Sequence, residues 1–273
     1  MMEYSIIIRC YNTLPLIKKS VEAAIQTTSD GTEIILINNH PPYQNAIEYL
    51  QNLNHPRVVV LDPGSNIGNI EGFNYGAKRA RGENIIILDD DIIVPNNNWI
   101  HVMSQSLEDF PNLAYIALVW PAVKNDLSTR IDFQDKIIQK SEYTIQFSND
   151  MVVFGCVMIK KAIWQQYFSN IHLTDRHLYA IDANYKVKAN ELGMKTAYII
   201  SHMAEHLGRT QESDLLYGAW KVLYAYALTR EEYTAWRKNK TSFTTNEEHS
   251  LRNFGYPKIQ IDELKKLITT SSF

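Results

Sequence analysis

Four short apolar runs rich in β-branched side chains set the first constraint: Tyr4 to Arg9 (YSIIIR), Glu33 to Ile37 (EIILI), Val58 to Leu61 (VVVL) and Asn84 to Leu88 (NIIIL). Such runs read as buried strands. Helical patterns lie between them. Pro15 opens one, with Ile17, Val21, Ala24 and Ile25 on one face, and Asp30-Gly31 ends it. A second helix is expected over Tyr43 to Leu53, after the polar loop Asn38-Asn-His-Pro-Pro42. Strands alternating with helices at this spacing predict an α/β fold with a parallel sheet and right-handed crossovers.

The fourth run ends in Asp89, Asp90 and Asp91. Adjacent carboxylates repel one another and are not buried bare, so a cation is expected among them. In an open α/β sheet, ligands bind outside the carboxyl ends of the strands, where these acids fall. Hard oxygen ligands suit Mg²⁺ or Mn²⁺, ions that often arrive with a phosphorylated substrate. The plainer alternative is an acidic turn that caps the next helix.

Composition excludes several classes. The chain has 273 residues, 45% of them hydrophobic, and a net charge of −3. That is enough for a sizeable core and carries no global basic field for nucleic acid. Cys10 and Cys156 are the only cysteines, without a CxxC or a secreted-type framework. A reducing, cytoplasmic setting is expected. The N-terminal MMEYSIII does not resemble a signal peptide, and no apolar stretch reaches the roughly 20 residues that span a bilayer. The chain reads as soluble, which leaves room for peripheral contact with the inner face of a membrane.

A glycine-spaced segment precedes the acidic strand. Gly68, Gly72 and Gly76 are four apart, which on a helix gives one smooth face for close approach of a strand or ligand. Asn66 is a natural N-cap for that helix and Asn74 projects an amide from it. Gly82 is expected to terminate it.

In the second half, Trp99 to Phe110 reads as a helix and Tyr115 to Val119 as a strand. Residues 121 to 150, with Asp126, Arg130, Asp132 and Asp135, read as a long insertion, although crossing edge strands would look similar. Met151 to Ile159 predicts a strand, in which Gly155 suggests close backbone approach, and Lys160 to Phe168 a helix. Leu178 to Gly193 predicts another, with Asp182 at its start, where an anion is favourable in any case. The strand Thr196 to Ile200 leads into a segment with HxxEH at His202 to His206, also an inverted zinc-peptidase signature. That chemistry needs a long helix, and here a strand precedes and Gly208 follows. Leu215 to Tyr233 reads as one aromatic helix, 241 to 246 as a linker and Ile259 to Ile268 as a final amphipathic helix.

SIIIRCYN, EIILINN, the NxGxxxGxNxG run from Asn66 to Gly76, and LDDD together resemble the family 2 glycosyltransferases of GT-A fold. The likeness covers about residues 4 to 210. It implies a Rossmann-like, mixed and mainly parallel sheet flanked by helices: a GT-A catalytic domain over 1–210, with a nucleotide-sugar half (1–100) and an acceptor half (101–210). Residues 211–273 would be a helical extension, with its plain role packing against that domain and an acceptor, membrane or subunit surface as the alternative. The resemblance implies a nucleoside-diphosphate sugar donor, UDP first and dTDP or GDP next. It implies Mn²⁺ or Mg²⁺ and a glycan or lipid-linked acceptor, as in surface polysaccharide assembly. Carried over residue by residue, Tyr11, Asn12 and Asn38 would line the nucleoside pocket, with Arg9, Asn66, Gly68, Asn74, Asp90 and Arg209 around the donor. Asp89 and Asp91 would form the DxD motif, with His206 completing the metal site. Asp182 would be the catalytic base of an inverting transfer. Two departures stand out: Asn38 replaces the usual aspartate at the end of the second strand, and Ile181 replaces the first acid of an acidic pair. They are what support the alternative of a nucleotide-sugar-binding, non-catalytic subunit. A nucleotidyltransferase would want a glycine-rich basic loop after the first strand, for which CYNTLP is a poor candidate.

Overall fold

The first apolar run is buried from Ser5 onward because helices pack on it and parallel strands pair with both its edges. In the computed structural model, which describes residues 2–41, 43–120, 133–149, 152–172, 180–207, 215–224, 230–253 and 256–270, β1 (Tyr4–Cys10) pairs with β2 (Thr32–Asn38) and with β4 (Asn84–Asp89). Ile6, Ile7 and Ile8 on β1 face Ile34, Ile35 and Leu36 on one side and Ile86, Ile87 and Leu88 on the other, all at most 2% exposed. Each such side chain contributes roughly 1.5–3 kcal/mol relative to exposure.

Five further strands, β3 (Val58–Leu61), β6 (Leu113–Val119), β8 (Thr144–Ser148), β9 (Cys156–Lys160) and β10 (Lys195–Met203), extend the sheet, and β7 (Phe133–Gln139) closes its far edge. The order is β3-β2-β1-β4-β9-β6-β10-β8-β7. β9 runs antiparallel to both β4 and β6, so the sheet is mixed. Residues 133–148 therefore form a hairpin of the edge strand β7 and its inner neighbour β8, while 121–132 lie outside the described residues. A separate two-stranded pairing joins β5 (Ile92–Ile93) to β11 (Glu205–His206).

The helices of the main layer are α1 (Leu14–Gln26), α2 (Gln44–Asn52), α3 (Asn69–Ala77), α4 (Trp99–Asp109) and α5 (Lys161–Ile163), which continues as a π-helical turn over Trp164–Phe168, then α6 (Ala180–Glu191). α3 lies tightly on the sheet: a Cβ on Gly76 would stand 2.7 Å from Ile7 Cγ2. Its N-cap is Gly68 at φ 84°, not Asn66, whose Oδ1 instead accepts a hydrogen bond from the Gly68 amide at 2.8 Å. The helix ends at Ala77, ahead of Gly82, where an added Cβ would meet Tyr4 C at 2.5 Å.

The strand expected from Met151 begins only at Cys156. Its approach is diverted because the Val153 amide donates to Tyr198 Oη at 2.8 Å and the Phe154 amide to Asp182 Oδ2 at 3.3 Å, leaving no ladder there. The single helix expected over Leu215 to Tyr233 is two, α7 (Leu215–Leu223) and α8 (Arg230–Asn239). The expected linker instead leads straight into α9 (Thr245–Asn253): the Thr244 amide donates to Glu247 Oε2 at 2.8 Å and the Glu247 amide to Thr244 Oγ1 at 3.2 Å, a capping box. With α10 (Lys258–Thr270), these helices gather around a second apolar cluster that includes Leu216, Ala219, Phe243, Leu251, Ile261 and Leu264. No helix among the described residues is long and apolar enough to cross a membrane.

Candidate active site

β4 delivers three consecutive carboxylates to one end of the sheet, and the structure sends each to a different neighbour. Asp89 still belongs to the strand; its carboxylate receives the guanidinium of Arg9, the residue beside it on β1. Arg9 is itself buried, donates through Nη1 to the Asn69 carbonyl at 3.2 Å, and leaves Nε without a partner among the described residues. Burial pushes the Asp89 carboxyl up to about 6, against the pull of Arg9 and with added repulsion from Asp91 and Asp90.

Asp90 turns under the loop that follows β1. It accepts the Tyr11 amide at 2.6 Å, the Asn12 amide at 2.8 Å and Asn12 Nδ2 at 3.0 Å. Burial and the charge of Asp91 raise its carboxyl, and these donors oppose them. Asp91 leaves the strand toward β11. Its carbonyl accepts the Leu207 amide at 2.9 Å, and its Oδ2 stands 3.4 Å from His206 Nε2. The middle of the three acids is thus committed by hydrogen bonds to a backbone loop.

His206 rests on Trp120, with ring centroids 5.4 Å apart, and its Nδ1 is buried without a partner among the described residues. Trp120 in turn lies on Gly155, where a Cβ would stand 2.6 Å from Trp120 Cζ3. The expected close approach at Gly155 is therefore to an indole under the histidine. One carboxylate and one imidazole at this separation suit a divalent cation. Among the described residues no group of three or more His, Cys, Asp or Glu side chains forms a cage for a metal, so further ligands would have to come from elsewhere, as phosphate oxygens commonly do for Mg²⁺.

A cleft of about 130 Å³ opens between this strand end and α3. Arg9, Tyr11, Asn12, Asn66, Gly68, Asp89, Asp90 and Asp91 line it, as do Asn39 and Asn69, which the sequence reading missed. Asn38 does not line it. It is still in the β2 ladder opposite Cys10, and its Nδ2 donates to Asp62 Oδ2 at 2.9 Å. The next residue steps off the strand onto the cleft wall: Asn39 accepts the Ile67 amide at 3.0 Å and donates to the Gly68 carbonyl at 3.3 Å. No sequence signal separates Asn39 from Asn38; only the end of the β2 register in the structure does. Asn74 also lies off the cleft, donating to the Ile171 carbonyl at 3.1 Å. Arg209 lies outside the described residues.

Asp182 occupies the first turn of α6, held by the Phe154 amide. Its carboxyl is pushed up to about 7, first by burial and then by the negative charge of Asp89. Ile181 beside it is 2% exposed and belongs to the main core, which accounts for an apolar residue at that position. His202 is buried, on β10 rather than on a helix, with Nε2 3.0 Å from Asn98 Oδ1 and Nδ1 3.0 Å from Ser201 Oγ. With His206 on a separate strand, the helix a zinc peptidase would need at HxxEH is not there.

The sequence model of glycosyl transferase family 2 matches residues 5–168, more than half of the chain. The chain belongs to this family. Among curated relatives, this glycosyl transferase family 2 chain is 30% identical over 112 residues to an uncharacterized glycosyltransferase of Haemophilus influenzae, across 41% of the chain and 37% of that protein. It is 29% identical over 107 residues to the minor teichoic acid biosynthesis protein GgaB of Bacillus subtilis, across 37% of the chain and 12% of that protein. The matches thus span little more than a third of the first relative's length. Among solved structures, the mannosyltransferase PcManGT from Pyrobaculum calidifontis, in complex with GDP-Man and Mn²⁺, superposes with a TM-score of 0.56 at 13% identity, over 99% of this chain and 76% of that one. GalNAc-T7 with UDP, GalNAc and Mn²⁺ superposes with a TM-score of 0.58 at 16% identity, over 97% of this chain and 53% of that one. The architecture is the GT-A fold expected from the sequence.

Proposed function

We propose that this family 2 chain is an inverting, metal-dependent glycosyltransferase that moves a sugar from a nucleoside-diphosphate sugar to a hydroxyl of a glycan or lipid-linked acceptor. One observation carries the reading: Asp91 and His206 pair at the carboxyl end of β4, and Asp89, the last residue of that strand, is near enough to Asp182 for its charge to add to burial in raising that carboxyl. A carboxyl near 7 is well matched to removing a proton at neutral pH. Asp182 takes the acceptor hydroxyl proton as that oxygen bonds to the anomeric carbon, while the bond to the diphosphate breaks with its electron pair leaving on the phosphate oxygen. Asp91 and His206 would hold the cation, with Asp89 and Arg9 beside it at the donor. When bound, Mn²⁺ or Mg²⁺ supplies positive charge that stabilises the departing diphosphate; the imidazole favours Mn²⁺. Tyr11, Asn12, Asn39, Asn66 and Gly68 form the remaining donor wall, and Arg209 is retained as a diphosphate partner on the resemblance alone.

UDP is the favoured base carrier, although the solved relatives include one GDP-sugar and one UDP complex. The name of GgaB, a minor teichoic acid biosynthesis protein, supports a role in surface polysaccharide assembly; a place on the cytoplasmic side, in peripheral reach of a membrane, rests on composition and the family resemblance. A thermal-shift screen of UDP-, GDP- and dTDP-sugars with and without Mn²⁺ tests this. Saturation at a hundred times Kd stabilises a native protein by about 2.7 kcal/mol, so the right donor stands out only with metal present. A shift for none of them would remove the donor reading; product of retained anomeric configuration would remove inversion.

A further inference from the structure

We infer that Trp220 in the helical extension is a positioning residue for the donor cleft, acting through Tyr11. Tyr11 is where two parts of the molecule meet. Its amide is fixed on Asp90, its side chain helps line the cleft, and it packs against Trp220, which is 1% exposed. Tyr224 and Trp236 complete the setting around the indole. Trp220 is rigidly mounted, because Leu216 and Ala219, one turn earlier on α7 and adjacent to it, are anchored in the second apolar cluster. An indole held this way restricts the half-buried Tyr11 ring to one side of the loop, and that restriction lowers the ordering cost of binding.

This deepens the proposed function and rests on it for the ligand, but the loop restraint is measurable without one. Trp220→Ala is expected to speed amide hydrogen exchange of the segment around Tyr11 and Asn12 about tenfold. It should also raise the calorimetric Kd of UDP, GDP or dTDP, whichever binds in the presence of Mn²⁺, and the donor KM by a similar factor, with kcat much less affected. Trp220→Phe should recover most of each effect. Leu107→Ala, on α4 in the main core and outside the cluster that mounts Trp220, controls for general loss of stability. Unchanged exchange at Tyr11 in folded Trp220→Ala overturns the inference whatever the ligand. So does equal weakening by Leu107→Ala. If wild-type protein binds none of the three nucleotides while Trp220→Ala still shows the exchange change, the donor reading is lost and the restraint stands.

Discussion

His206 Nε2 lies 3.4 Å from Asp91 Oδ2, placed there by backbone pairing that sets His206 against Ile92 and ties the Leu207 amide to the Asp91 carbonyl. The two side chains come from opposite halves of the chain, and the short β5–β11 pairing holds them together. As the proposed cation pair, they should contribute most of the protein's share of metal affinity. His206→Ala is expected to weaken Mn²⁺ binding at least about tenfold, read from the paramagnetic resonance signal of free Mn²⁺. Unaltered Mn²⁺ affinity would remove His206 from the site.

Asp90 and Asp91 should separate cleanly by phenotype. Asp90→Ala strips the Tyr11 and Asn12 amides and Asn12 Nδ2 of their shared acceptor inside the protein. The cost of leaving buried donors unpaired is about 1–3 kcal/mol, so the midpoint of urea unfolding should fall. Asp91→Ala should leave that midpoint nearly unchanged and abolish Mn²⁺ binding. The reverse assignment would shift the metal register to Asp90.

The sheet core and the site halves were differently legible. Runs such as SIIIR and NIIIL announce buried strands because neighbours pair with both edges and packed layers cover both faces, which leaves no polar side, and the acids at the end of β4 inherit their position from that. What periodicity could not supply was the residue at which a strand stops being paired. Asn38 and Asn39 differ by one step of the ladder, yet only Asn39 reaches the cleft. Met151 to Gly155 looks like strand in the sequence, but the Val153 and Phe154 amides are spent on Tyr198 and Asp182, partners from distant segments. Trp120 gave no signal and Trp220 only that of an aromatic helix, since a buried aromatic under a histidine or a tyrosine has the same local sequence as one in any core.

Gly155→Ala tests that hidden support. The new methyl carbon would stand 2.6 Å from the Trp120 ring and 3.0 Å from Ile92 Cδ1, so the indole under His206 must shift. Gly76→Ala, at 2.7 Å from Ile7, creates comparable crowding far from the metal pair. Both should lose roughly 1–3 kcal/mol of stability by overpacking. Only Gly155→Ala should weaken Mn²⁺ binding as well, and matched metal affinities in the two variants would contradict the support assigned to Trp120.

Asp182 gives the pH dependence its sign. Its carboxyl is raised from an ordinary value of 3.8 to about 7, because burial and Asp89 disfavour the charged form. The folded protein therefore binds a proton there that the unfolded chain has released between about pH 4 and 7. The stability linked to that proton is fully present below about pH 4 and is lost as pH rises through 7, at a slope of at most about 1.4 kcal/mol per pH unit. Asp182→Asn cannot ionise, so in metal-free protein the variant should gain stability over wild type across that window, by chemical denaturation at pH 4, 6 and 8. Catalysis runs the other way. Only the ionised carboxylate accepts a proton, so wild-type kcat/KM for transfer should climb with pH toward a plateau above about 7. A bound cation would draw that limb to lower pH. Asp182→Asn should lose about 10²–10⁴-fold in rate and the limb with it. A variant that keeps the acidic limb while losing rate would assign the titration to Asp89, whose carboxyl is raised to about 6.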